Sequence, residues 1–142
     1  MNALSSESAR FGVRVPPRMC DAQGMVHAAR YHEVLEDAFL DWLDAIGSPY
    51  TELRSTGIDL VIGTSTIRHR APARLGDTLH ISVERVRSSR STITIRFTIT
   101  RAETEAVAEA EVTYISVHEG TATPLPAELA GDERLTEQPC DS

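Results

Sequence analysis

The residues with the chemical means to act on a substrate crowd into one stretch, a thiol at Cys20, a carboxylate at Asp21, an imidazole at His27, and a second imidazole and carboxylate at His32 and Glu36. Cys20 with His27 has the makings of an activated thiol, but a lone cysteine beside a loop ordinarily serves as a small buried apolar residue. His32 and Glu36 stand one helical turn apart and could share a metal ion. Without a third ligand at matching spacing a solvent-facing pair is the simpler expectation, and no metal or other cofactor is predicted. Asp21 leads into Gln23 and Gly24, a flexible loop centre, and on residue type alone it closes a turn or caps the helix that follows. Gly24 suits either an ordinary turn or a backbone that a ligand must approach closely. His27 could touch a substrate, shuttle a proton, or sit in water.

What must position these groups is one amphipathic helix. From about Ala28 to Ile46 the apolar residues Tyr31, Val34, Leu35, Ala38, Phe39, Trp42, Leu43 and Ile46 recur at steps of three and four, with Glu33, Glu36, Asp37, Asp41 and Asp44 between them. Gly47 and Pro49 stop it. Ahead of it Phe11, Val13 and Val15 alternate with polar neighbours until Pro16 and Pro17, which suits a short edge strand. Beyond Gly57 the pattern turns to strands: Ile58 to His69, then Leu79, Ile81 and Val83, then Ile93, Ile95, Phe97 and Ile99, then Val107 to Val117. The links Arg87 to Arg90 and Arg101 to Glu105 have hairpin length. The order predicts an α+β fold, an antiparallel sheet of about five strands with the long helix packed on one face. Residues 1–10 read as a flexible leader, 11–123 as the domain, and 124–142 as an acidic, loosely held tail.

Composition narrows the function classes. The chain has 142 residues, enough for one domain, with 41% hydrophobic and 25% charged residues. All fourteen basic residues are arginine, so Schiff-base chemistry, pyridoxal phosphate attachment and a P-loop lysine are excluded. The net charge is −7, much of it in the tail, which argues against nucleic acid and leaves any anionic ligand to local arginines. No apolar run reaches the roughly 18 residues of a membrane span, and MNALSSESAR has neither basic flank nor apolar stretch. A soluble, cytoplasmic protein without membrane contact is expected, its two cysteines, Cys20 and Cys140, free.

The string DAQGMV, Asp21 to Val26, followed by Tyr31, resembles the Asp-x-x-Gly-x-Val-x-x-x-x-Tyr signature of hot-dog thioesterases of the 4-hydroxybenzoyl-CoA thioesterase type. Gly57 and Ile58, then Pro72, Ala73, Gly76, Asp77 and Leu79, are similar to that family's second segment, Gly-Ile, strand, Pro-Ala-x-x-Gly-Asp-x-Leu. The resemblance implies a long helix wrapped by a curved sheet, a homodimer with assembly into tetramers, and hydrolysis of an acyl-CoA or acyl carrier protein thioester. It makes Asp21 the nucleophile or the base that activates water. The head of the helix would supply the oxyanion donor, the backbone N–H of Ala28, because first-turn N–H groups lack intrahelical partners.

The resemblance further implies that Gly24, Val26, His27 and Tyr31 line the substrate site, with Leu60, Ile62 and Thr64 entering from the partner subunit. Arg87, Arg90 and Ser91 would meet the phosphates of coenzyme A, since guanidinium forks suit phosphate. Arg68, Arg70 and Arg74 form a second basic cluster that the sequence does not rank against the first. Where relatives carry tyrosine or histidine this chain has Ala28, a departure that bears on aryl preference. Hot-dog domains also serve as dehydratases or hydratases and as non-catalytic acyl-CoA-binding modules, which stand as the alternatives.

Overall fold

The computed structural model of the chain describes residues 8–102 and 104–130. Strand β1 (Ser8–Arg14) is followed by a 3-10 turn (Pro17–Met19), a loop, and a second 3-10 turn (Ala28–Arg30) that runs directly into helix α1 (Tyr31–Ala45). A short helix α2 (Tyr50–Ser55) leads to four long strands, β2 (Ile58–His69), β3 (Thr78–Ser88), β4 (Thr92–Arg101) and β5 (Glu105–His118). A two-residue strand β6 (Thr121–Ala122) and one helical turn α3 (Ala127–Ala130) close the described chain.

The sheet is antiparallel throughout, in the order β1-β3-β4-β5-β2, with β6 on the end of β5. Alternation along each strand sends one set of side chains to α1 and the other to water. Ile81, Ile99 and Ala108 share one inward row, Val83, Phe97 and Ala110 the next, and Ile95 with Val112 a third. Against them α1 buries Tyr31, Val34, Leu35, Ala38, Phe39, Trp42 and Leu43, the apolar face expected from the sequence. Each such large side chain removed from water contributes roughly 1.5–3 kcal/mol, which is why one helix suffices to organise the sheet. The outward face is charged: Glu84, Arg96 and Glu111 sit side by side on β3, β4 and β5, with Arg96 bonded to both carboxylates at 3.1 Å.

Three features depart from the sequence expectation. Strand β1 begins at Ser8, so the end of the expected leader is paired, Ser8 opposite Glu84. Residues 1–7, and with them most of that leader, lie outside the described residues.

The expected tail is also not one piece. Leu125 and Leu129, four residues apart, are both buried, Leu129 completely, and the turn they form is tied to β3 by Arg85 Nη1 donating to the Leu129 carbonyl at 2.7 Å and Ser88 Oγ to the Ala130 carbonyl at 3.0 Å. Prolines and acids dominate that segment's composition, but its two leucines decide where it goes. The rest of the tail, with Cys140, lies outside the described residues.

Third, β2 carries a bulge between Ile62 and Thr64. The extra residue, Gly63, flips the alternation, so Thr64 faces away from α1 while Leu60 and Ile62 face it.

Truncating Leu129 to alanine should cost about 2–4 kcal/mol in urea unfolding, as buried leucines do, whereas Glu128→Ala on the exposed side of the same turn should change stability by less than about 0.5 kcal/mol. Equal, small effects of the two would place the turn outside the cooperative fold.

Candidate active site

Asp21 builds its own turn. Its backbone N–H donates to the Met25 carbonyl at 2.9 Å, its carbonyl accepts from Gly24 N–H at 3.0 Å, and Cys20 bridges antiparallel to Val26. Reversing direction in so few residues requires a left-handed residue, and Gly24 supplies it at φ +81°. The side chain completes the turn: Asp21 Oδ1 accepts from Gln23 N–H at 2.9 Å and from Met25 N–H at 3.1 Å. These two donors, Met25 foremost, hold the carboxyl below its ordinary value of 3.8, with a small further push from the charge of His27. Among the described residues Oδ2 has no hydrogen-bond partner.

The turn is fastened from outside as well. Val26 N–H donates to the Ala73 carbonyl at 2.9 Å, Leu75 N–H to the Gly24 carbonyl at 2.8 Å, His27 N–H to the Met19 carbonyl at 3.1 Å, and Met25 bridges to Arg74. The loop from Pro72 to Asp77 is thus the floor on which the Asp21 turn rests.

Ala28 opens the second 3-10 turn, where the leading N–H groups have no intrahelical acceptor. Neither His27 ahead of that turn nor Arg30 ahead of α1 makes a side-chain cap. Asp21 therefore closes its loop rather than capping the helix. A cleft of about 310 Å³ adjoins the helix head, walled by Val26, Ala28 and Tyr31 on one side and His69, Arg70, Ala71 and Pro72 on the other. Tyr31 is buried, and burial raises its hydroxyl above the usual phenol value; its ring meets that of His69 edge-on with centroids 5.0 Å apart. His27 and Ala28 are exposed, Gly24 and Val26 half-buried.

Leu60 and Ile62 belong to a second cavity, also about 310 Å³, between α1 and the edge strand β2. Its floor is aromatic, with Phe39 and Tyr114 stacked 3.9 Å apart at 6°. His32, Glu36, Tyr50 and Tyr114 are its lining residues with polar side-chain groups. Thr64, on the opposite face of β2, is not part of it.

Arg87, Arg90 and Ser91 sit where β3 turns into β4, at the far end of the eleven-residue strand that starts beside Asp77. At about 3.3 Å per residue the strand spans at most roughly 35 Å, and they lie at the opposite end of it from the loop that underlies the Asp21 turn. The other basic cluster is the near one: Arg70 lines the cleft and pairs with Glu109 at 3.3 Å, and Arg74 lies beside Met25.

His69 lines the cleft although nothing in the sequence singles it out, and Arg70 stands out there only within an unranked basic cluster. Their position at the end of β2, just before Pro72, is the available signal. Cys20 donates its thiol to the Pro16 carbonyl at 3.7 Å, a structural contact. Among the described residues no cluster of three metal-ligating side chains exists, His32 and Glu36 included. No helix among them is long and apolar enough to cross a membrane.

Residues 15–132 match the family model of the thioesterase-like superfamily. The chain belongs to that superfamily. It is a thioester hydrolase. Solved structures with the same architecture include a protein of Aquifex aeolicus, with TM-score 0.81 and 27% identity over 84% of this chain and 94% of that one. A 1,4-dihydroxy-2-naphthoyl-CoA thioesterase from Synechocystis superposes with TM-score 0.80 at 20% identity, covering 93% and 99%. The 4-hydroxybenzoyl-CoA thioesterase of Pseudomonas sp. strain CBS-3 does so with 0.79 at 21%, covering 87% and 96%. These likenesses establish the hot-dog fold expected from the sequence.

An NMR titration of the Asp21 carboxyl should give a midpoint below 3.8. Because the folded value is depressed, the carboxylate's contribution to stability is complete above the ordinary value and disappears as pH falls through the folded one. The stability gap between wild type and Asp21→Asn should accordingly be widest near neutrality and close in acid. A gap that widens in acid would contradict the assignment of the two N–H donors.

Proposed function

We propose that this protein hydrolyses an acyl-CoA thioester, or the same acyl group on a carrier protein, to free acid and thiol, and that Asp21 is the reacting carboxylate. The observation that carries the proposal is the division of labour within that carboxylate. One oxygen is pinned by two backbone N–H groups and the other is unpaired, in a turn adjoining the helix head. In the nucleophilic course Oδ2 bonds to the thioester carbonyl carbon, the C–S bond breaks, the thiolate leaves, and water then cleaves the resulting anhydride and restores the carboxylate. In the general-base course the carboxylate takes a proton from the water that attacks the same carbon. Either way negative charge grows on the carbonyl oxygen, and the Ala28 N–H would be the donor that receives it.

A single chain leaves the site open. Edge strand β2 presents Val61 and Ile62, 42% and 57% exposed, and its outer backbone groups are unpaired among the described residues. Pairing of two copies along this edge into a homodimer, and of dimers into a tetramer, would cover those residues and extend the sheet. Leu60 and Ile62 then form an apolar wall for the acyl group. The Arg87, Arg90 and Ser91 turn, at the end of β3 away from the Asp21 turn of its own chain, would serve a nucleotide bound to another subunit, with Arg70 and Arg74 nearer the thioester. Such a reaction belongs in the cytoplasm, where acyl-CoA is made and used.

The test compares wild type with Asp21→Asn on aryl and aliphatic CoA thioesters, following thiol release. Asparagine keeps the Oδ1 acceptor and hence the turn, so the fold should survive while kcat drops by about 10²–10⁴. Equal turnover would exclude Asp21. Ile62→Glu should yield a monomer in sedimentation with turnover lost; a dimer of unchanged mass and activity would remove β2 from the interface.

A further inference from the structure

The Pro72–Asp77 loop touches both the Asp21 turn and the end of β4, to which an ion pair ties it. Arg101, the last residue of β4, donates from Nη1 to Asp77 Oδ2 and, at 2.9 Å, to the Pro72 carbonyl. Its other nitrogens fork onto Glu105, at 3.1 and 2.8 Å. Asp77 Oδ2 also accepts from Arg74 N–H at 2.9 Å. The guanidinium therefore fixes the loop at both ends, Pro72 and Asp77. Both partners are largely covered, their side chains 20% and 23% exposed, whereas the outward pairs of the sheet are 41–49% exposed.

Every residue between those two fixed ends then makes a backbone contact, three of the four with residues 24–26 beside Asp21. Ala73 accepts from Val26, Arg74 bridges to Met25, Leu75 donates to the Gly24 carbonyl, and Gly76 donates to the Val15 carbonyl at 3.0 Å. The Ala73 backbone also lies beside the Tyr31 hydroxyl at the start of α1. Met25 in turn supplies one of the two N–H groups that orient Asp21.

We infer that Arg101 and Asp77 are positioning residues for hydrolysis: their ion pair, made behind the site, sets the register of the Asp21 turn against the helix head without touching substrate. The inference rests on the reading of Asp21 as the reacting carboxylate. A misplacement of the order of 1 Å can cost about a hundredfold in rate, so a loosened clamp is felt in chemistry before binding.

The test uses Arg101→Gln and Asp77→Asn in the full chain. Asp77→Asn retains an acceptor for Arg74 N–H and gives up only the charge, so it reports on the pair should Arg101→Gln fail to fold. Amide hydrogen exchange in the peptide spanning residues 21–27 should quicken by about tenfold or more, with β5 protection unchanged. With CoA thioesters kcat should fall at least about tenfold and KM should change by less than about threefold either way. A merely structural role would lower the melting temperature but leave both the loop's exchange and the kcat to KM split as in wild type, and that result overturns the inference. Exchange is read without turnover. If Asp21→Asn proves fully active the catalytic reading fails, while the exchange data still decide whether the ion pair holds the turn.

Discussion

Two backbone N–H groups on one oxygen of Asp21 set the terms for everything else in this molecule. They keep the carboxylate charged and aimed, which a nucleophile or base requires, and they lower its basicity, which neither role wants. In the proposed mechanism the conflict is eased because Oδ2 has no partner among the described residues and the turn lies just ahead of the helix head in the chain. Under that mechanism the charge developing in the transition state, rather than the ground-state carboxylate, would meet the leading N–H groups of the Ala28 turn. Had Asp21 capped the helix, it would have consumed the donors the oxyanion needs. The absence of a side-chain cap at His27 is therefore as informative as the presence of the turn.

Beneath the Asp21 turn the fold gathers its more covered contacts. The sheet's outward charges are exposed and of small individual worth, whereas the covered Arg101–Asp77 pair, the bridges from Met25 to Arg74 and from Cys20 to Val26, and the buried ring of Tyr31 all converge where the site lies. In contrast, the aromatic-floored cavity lies between α1 and β2, the strand at the edge of the described sheet.

The helix and the four long strands were legible because their periodicities are strong and their breaks, at Gly47, Pro49 and Pro72, are unambiguous. The Asp21 motif and the Pro-Ala-x-x-Gly-Asp segment were legible as matched strings. Their contact with each other was not, because residues some fifty positions apart leave no local trace of backbone bonds. Asp77 stood out, yet its partner Arg101 lies at the end of a strand where an arginine is unremarkable from composition. Leu60, Ile62 and Thr64, grouped by the resemblance, are spaced to share a face only in an unbroken strand, and the bulge at Gly63 separates Thr64 from the other two. Short pieces escaped for a different reason: α2 and α3 are too brief for a period, so the burial of Leu53, Leu125 and Leu129 is a tertiary fact.

The most direct measurement is a structure of the assembled protein with a non-hydrolysable thioester analogue bound. The carbonyl carbon of the analogue should lie within about 3.5 Å of Asp21 Oδ2, or one water away, with its oxygen directed at the Ala28 N–H. An analogue seated in the assembly while Asp21 Oδ2 faces bulk solvent would contradict the assignment of Asp21 as the reacting carboxylate.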